Sequence, residues 1–132
     1  MERPTVPLPP TLAFAVSPVH GWGVFSLIDI PANTNLGEFI GEYMNHKTFT
    51  ERYGSDRRYV YMKQRTWEYR VAKEKRNWIT YINDGKHGFA KSEVNVCLKN
   101  WCCYTTRAIK PWEELFLDYG RYYRWDLCEK VE

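Results

Sequence analysis

The chain has 132 residues, one domain's worth and too few for two substantial domains. Its composition, 44% hydrophobic and 27% charged, excludes disorder along the whole length. A net charge of +3 falls short of the basic stripe of a dedicated nucleic-acid binder, so no direct sequence-specific nucleic-acid binding is expected. Six Trp, ten Tyr and six Phe are more rings than so small a core swallows. Some of them therefore stand near the surface, where rings suit a planar, cationic or apolar ligand.

In chain order, Pro4, Pro7, Pro9 and Pro10 make residues 1–10 an extended arm, read as a tail, with order starting near Thr11. Leu12 to Val16, Gly23 to Ile30 and Leu36 to Tyr43 read as strands, broken at Ser17-Pro18 and at Pro31-Ala32-Asn33. Lys47 to Tyr53 is the best helix, with Thr48 and Glu51 as a capping box and Gly54 as its stop. Tyr59 to Met62 and Trp67 to Ala72 read as strands, and Asn77 to Ile82 as a short helical turn. Val94 to Leu98 and Trp101 to Arg107 form a hairpin around Lys99-Asn100, and Leu115 to Asp118 is a last short strand. Many short strands with little helix predict a compact, mainly β fold.

Apolar runs are too short to span a membrane, and the start lacks the pattern of a secretory signal. Cys97, Cys102, Cys103 and Cys128 contain no C-x-x-C pair, and His20, His46 and His87 are scattered without metal-like spacing. No metal site is expected; the cysteines read as buried reduced thiols and the histidines as surface or loop residues. Three segments remain as candidates for chemistry. His20 to Phe25 sets two glycines around one Trp, either a tight turn or a close backbone approach to a ligand. Tyr81 to Gly85 ends in an Asn-Asp-Gly turn that places Asn83 at the edge of buried structure. Glu113 to Gly120 is a strand ending in an acid, a Tyr and a Gly; Tyr119 reads as a core ring or as a catalytic phenol. Glu113 and Glu114 precede that strand, so a carboxylate dyad is poorly supported.

In this order and spacing, the three segments resemble the SET domain of protein lysine methyltransferases. Gly21-Trp22-Gly23-Val24-Phe25 is similar to the opening G-x-G-V-F motif, and Glu38-Phe39-Ile40-Gly41-Glu42 to the E-Y-x-G-E segment. Tyr59-Val60-Tyr61 stands at a Tyr-Leu-Phe strand, and residues 76–84 (RNWITYIND) resemble G-N-x-x-R-F-I-N-H. Glu113 to Gly120 resembles the closing G-E-E-L-x-x-D-Y-G, so the likeness runs from about His20 to Trp125. It implies a SET-domain fold of several small curved sheets over residues 11–126, with a knot-like C-terminal crossing and a tail at 127–132. It also implies transfer of methyl groups from S-adenosylmethionine, which leaves as S-adenosylhomocysteine, to a protein lysine. A histone tail is the first expectation, in the nucleus, or in a host nucleus for a viral or microbial protein.

Residue by residue, the resemblance implies that His20, Gly21, Trp22, Gly23, Tyr59, Asn83, Asp84, Tyr119 and Trp125 hold the cofactor. Tyr119 is then the catalytic tyrosine, and Phe39, Tyr61, Leu117 and Tyr119 line the lysine channel. The chain departs from the pattern at Asp84, where the family has His, and at Thr80, where Arg is common. Residues 85–93 look like an insertion, so that Asn95 matches a downstream Asn only loosely. Cys128 stands alone where many members carry a zinc cluster, which implies that the zinc module is missing and that a homodimer completes the groove. Phe39 and Leu117 lack the hydroxyls that restrict methylation, which implies di- or trimethylation. The alternative is a catalytically inactive SET-like module that binds a peptide or partner protein.

Overall fold

The computed structural model describes residues 2–63, 65–85 and 94–119. Leu12 and Phe14 are buried, and this alternation fixes β1 (Leu12–Val16) against β2 (Trp22–Ser26) as an antiparallel pair running from Leu12 opposite Ser26 to Val16 opposite Trp22. The strand expected to reach Ile30 ends at Ser26, whose hydroxyl bonds the Ile28 backbone and turns the chain. Residues 2–10 form no helix or strand but do not stand off as a tail. Val6 and Leu8 pack on the core, and the Arg3 guanidinium donates to the Phe14 carbonyl at 3.1 Å.

The single strand expected over Leu36 to Tyr43 is two strands in two different sheets, β3 (Asn35–Glu38) and β4 (Glu42–Asn45). The chain crosses between them at Phe39 to Gly41. Phe39 is buried, and a Cβ on Gly41 would lie 2.9 Å from the Val71 backbone, so only glycine fits the crossover. The helix α1 (His46–Tyr53) follows. Its cap is Asn45, whose Oδ1 accepts from the Thr48 N–H at 2.9 Å, rather than a Thr48–Glu51 box; Gly54 closes it at φ +61°. The strands β5 (Val60–Lys63) and β6 (Glu68–Val71) complete a three-stranded sheet in the order β4-β6-β5.

A 3-10 turn (Trp78–Tyr81) capped by Asn77 leads into β7 (Asn83–Asp84). The expected hairpin is β8 (Val96–Lys99) and β9 (Cys102–Thr105), joined by Asn100 and Trp101, both in the left-handed region. It adds β3 in the order β3-β9-β8. Cys103 faces the core, where burial pushes its thiol up, while Cys97 and Cys102 are only half-buried. The last described strand, β10 (Phe116–Leu117), lies parallel to β7.

Two apolar clusters result. The larger gathers Phe14, Val24, Ile79, Ile82, Leu115 and their neighbours; the smaller packs Phe49 of α1 with Met44, Tyr69 and Val71 of the sheet. No helix of the described residues is long and apolar enough to cross a membrane.

Candidate active site

Strands of two residues cannot hold themselves, so the β7–β10 crossing depends on side chains. Phe116 stands opposite Asn83 and Leu117 opposite Asp84. The Gly85 N–H donates to the Leu117 carbonyl at 2.8 Å, and the Tyr119 N–H donates to Asp84 Oδ1 at 3.0 Å. Asn95, 1% exposed, does the work of a missing strand. Its Oδ1 accepts from the Phe116 N–H at 2.8 Å, and its Nδ2 donates to the Glu114 carbonyl at 2.8 Å. From the sequence Asn95 is only a loose match to a downstream Asn of the family; its place between Val94 and Val96 is the signal that it is buried and needs partners.

The second half of the site is a buried polar knot. Asn83 Nδ2 donates to the His20 carbonyl and to Glu114 Oε2, each at 3.0 Å, while the Ser17 hydroxyl donates to Glu114 Oε1 at 2.9 Å. Burial pushes the Glu114 carboxyl up, against the lowering effect of the Asn83 and Ser17 hydrogen bonds. The carboxylate also accounts for one of the two glycines. A Cβ on Gly23 would lie 2.4 Å from Glu114 Oε2, so the close approach read from the sequence at this position is to a buried acid of the chain itself. Gly21 takes φ +49°. His20, expected in a loop, is tied through its backbone, and the Trp22 indole N–H is buried with no acceptor among the described residues.

The third part is a cavity of about 420 Å³. Phe39, Tyr59, Tyr61, Leu117 and Tyr119 all line it, with Arg57, Thr80, Cys97 and Asp118 also on its wall. Phe39 and Tyr61 meet edge to face at 5.8 Å, and Tyr61 in turn meets Trp101 at 4.8 Å. Burial raises the Tyr61 phenol above its ordinary value. The Tyr119 hydroxyl donates to the Ile82 carbonyl, one residue before Asn83. Tyr59 sits at φ +63°, a left-handed conformation uncommon for an aromatic residue.

The structure thus brings the expected channel residues and Tyr59 around one space. His20, Gly21, Trp22, Gly23, Asn83 and Asp84 are not on its wall; Asn83, bonded to the His20 carbonyl, follows the Ile82 whose carbonyl accepts from the Tyr119 hydroxyl. Trp125 lies outside the described residues. A second cavity of about 480 Å³, between the arm at Val6-Pro7 and the Gly41 and Arg76 segments, has none of the expected site residues on its wall. His46, expected at the surface or in a loop, bonds the Tyr69 hydroxyl at 2.7 Å and is part of the packing of α1. Among the described residues no group of His, Cys, Asp or Glu is placed to hold a metal ion.

Small sheets, a two-strand crossing and Tyr119 on the wall of an aromatic cavity are the arrangement that the resemblance implies. A family model of the SET domain matches residues 21–120, and the chain belongs to the SET-domain family, whose members are lysine methyltransferases that use S-adenosylmethionine. The chain is 31% identical over 109 residues to the histone-lysine N-methyltransferase MEDEA of Arabidopsis thaliana, which covers 78% of this chain but only 16% of that protein. Among solved structures it is similar to the methyltransferase domain of human PR domain-containing protein 2, at 25% identity and a TM-score of 0.60 over 86% of this chain and 79% of that one. It also shares its fold with ctPRC2 in an autoinhibited conformation bound to S-adenosylmethionine. There the identity is 22% and the TM-score 0.64, over 86% of this chain and 15% of that one.

Proposed function

We propose that this chain transfers methyl groups from S-adenosylmethionine to the side-chain amine of a protein lysine. The lysine is on a histone tail, in the nucleus, and the product is di- or trimethylated. The observation that carries this reading is the convergence of Phe39, Tyr59, Tyr61, Leu117 and Tyr119 on one cavity of about 420 Å³, beside the knot of His20, Asn83 and Glu114.

The residues fit a nucleoside cofactor beside that cavity. Trp22 offers a ring and a buried indole N–H that lacks an acceptor among the described residues. Asn83 fixes the His20 carbonyl, Gly21 takes a left-handed turn, and Gly23 lets the backbone pass close to Glu114. Asp84 holds the backbone of Tyr119, while the role of Trp125, which lies outside the described residues, rests on the resemblance alone. S-adenosylmethionine, when bound, supplies an electrophilic methyl group.

The chain's own task is then deprotonation and alignment. A free lysine has a pKa of ~10.4, and an aromatic, largely apolar cavity favours its neutral form. Phe39 and Tyr61 offer ring faces and edges that tolerate the arriving cation. The Tyr119 hydroxyl, anchored on the Ile82 carbonyl, holds its oxygen as an acceptor for an amine N–H. Phe39 and Leu117 present no hydroxyl to the amine, which supports room for more than one methyl group.

Incubation of the full chain with labelled S-adenosylmethionine, histones and lysine peptides tests the reading, with products resolved by mass. The expected result is a di- or trimethyl product, and Tyr119→Phe lowers turnover ~100-fold or more while cofactor affinity stays within a few fold. Monomethyl product alone removes the product assignment, and unchanged turnover removes Tyr119 from catalysis. Light scattering on the same preparation reports whether two copies pair to complete the groove.

A further inference from the structure

Besides Asp84, two departures from the family pattern within residues 76–84 form a pair. Position 80, where Arg is common, carries Thr, and position 76, where the pattern has Gly, carries Arg. Taken one at a time they look like losses. In the structure they touch. Arg76 Nε donates to Thr80 Oγ1 at 2.7 Å, and Nη2 donates to the Thr80 carbonyl at 3.3 Å. The guanidinium carbon lies 3.7 Å from the centroid of the Tyr59 ring and 3.9 Å from that of Tyr81. No carboxylate among the described residues pairs with it, so the two ring faces and Thr80 are its partners there.

Tyr59 is the residue that needs holding. Its φ of +63° is costly for a bulky side chain and persists only where surrounding contacts impose it. Those contacts come from one short segment. The Ala72 N–H donates to the Tyr59 carbonyl at 2.9 Å, Lys73 Nζ donates to the Arg58 carbonyl at 2.9 Å, and Arg76 covers the ring. Tyr59 and Thr80 both line the 420 Å³ cavity, while Arg76 lines the second cavity and not this one.

We propose that Arg76 is a positioning residue: it clamps Tyr59 and Tyr81 and supplies, from four residues upstream, the guanidinium that position 80 lacks. The arginine is relocated in the motif, and the pose of Tyr59 on the cavity wall depends on it. The effect on cofactor affinity rests on the methyltransferase reading above, whereas the clamp itself does not.

The test uses the full chain, Arg76→Ala, and the exchanged pair Arg76→Gly with Thr80→Arg. Exchange of the Ala72 amide reads the clamp, and calorimetry with S-adenosylmethionine reads the site. Arg76→Ala is expected to speed Ala72 exchange and to raise the cofactor Kd, each about tenfold, the size of one half-buried cation–ring contact. The exchanged pair is expected to bring both within about threefold of the unaltered chain, which a merely structural role of Arg76 would not do. Should Arg76→Ala not fold, Arg76→Met, which keeps the apolar stem, is read in its place. Exchange and affinity that stay within twofold in the single variant overturn the clamp. An exchanged pair no better than the single variant overturns the relocation. If the unaltered chain binds no S-adenosylmethionine, the methyltransferase reading fails, and Ala72 exchange alone decides the clamp.

Discussion

The β7–β10 crossing and the helix-capped β4-β6-β5 sheet solve the same problem by opposite means. At the crossing, hydrogen bonds join residues 97, 63 and 31 positions apart, from Ser17 to Glu114, Asn83 to His20 and Asn83 to Glu114. Asn83, Asn95 and Glu114 are polar and buried there, so each depends on its partner being present. Beneath α1 the contacts are apolar and closer in sequence. The Phe49 and Tyr69 rings stack at 4.1 Å with 4° between their planes, and His46 bonds the Tyr69 hydroxyl. Removing a group from the crossing leaves a buried donor or acceptor without a partner, whereas removing one from the sheet leaves a void. The proposed chemistry sits at the crossing, where buried polar groups fix backbone positions more sharply than packing does.

The largest stability effect is expected on the packed side. Phe49 is 1% exposed, and Phe49→Ala should cost ~3–5 kcal/mol, read as a fall in melting temperature on the order of 10 °C. A loss below ~1 kcal/mol would mean that the sheet does not rest on this ring. Next comes the crossing. Gly23→Ala drives a methyl group against the Glu114 carboxylate and should cost ~1–3 kcal/mol. Denaturation of Gly23→Ala, Glu114→Ala and the double variant checks the cause. The double variant should be less destabilised than the sum of the singles, and strict additivity would break the link between these two side chains.

The crossing was also the more legible region. Asn83 stands out because it follows the apolar pair Tyr81-Ile82, and Tyr119 because it closes the Glu113 to Gly120 segment; the structure joins the two segments as expected. The partners were not legible, since Ser17 and Asn95 are ordinary turn and strand residues until the chain folds over them. In the sheet the reverse holds. Local propensity located α1 to within a residue but chose the wrong cap, because Asn45 and Thr48 both suit that role and only backbone geometry separates them. The split of residues 36–43 into two strands escaped detection for a similar reason. Gly41 breaks no alternation; it is needed because the Val71 backbone passes so close. The Arg76 stack is visible only once the Tyr59 loop is folded against the segment that carries both Arg76 and Tyr81.

The two regions should also part company in acid, with the smallest effect of the series. The Arg58 guanidinium holds the Asp56 carboxyl down at about 2, and Lys73 adds to that pull from 3.3 Å. A carboxyl held lower in the folded state than its ordinary 3.8 contributes stability at neutral pH, and that contribution is lost as pH falls from about 4 to about 2. Glu114 has the opposite sign. Raised by burial, it contributes in acid, and its contribution is lost as pH rises through its shifted value. Acid should therefore loosen the loop before Tyr59 while the crossing gains relief. Melting curves of the unaltered chain and of Asp56→Asn between pH 6 and 2 test this. The unaltered chain should be the more stable at pH 6, and the gap should close toward pH 2. A gap that stays constant with pH would show that charge on Asp56 does not hold this loop, leaving the Arg76 stack and the Ala72 hydrogen bond as the contacts that hold Tyr59 in place.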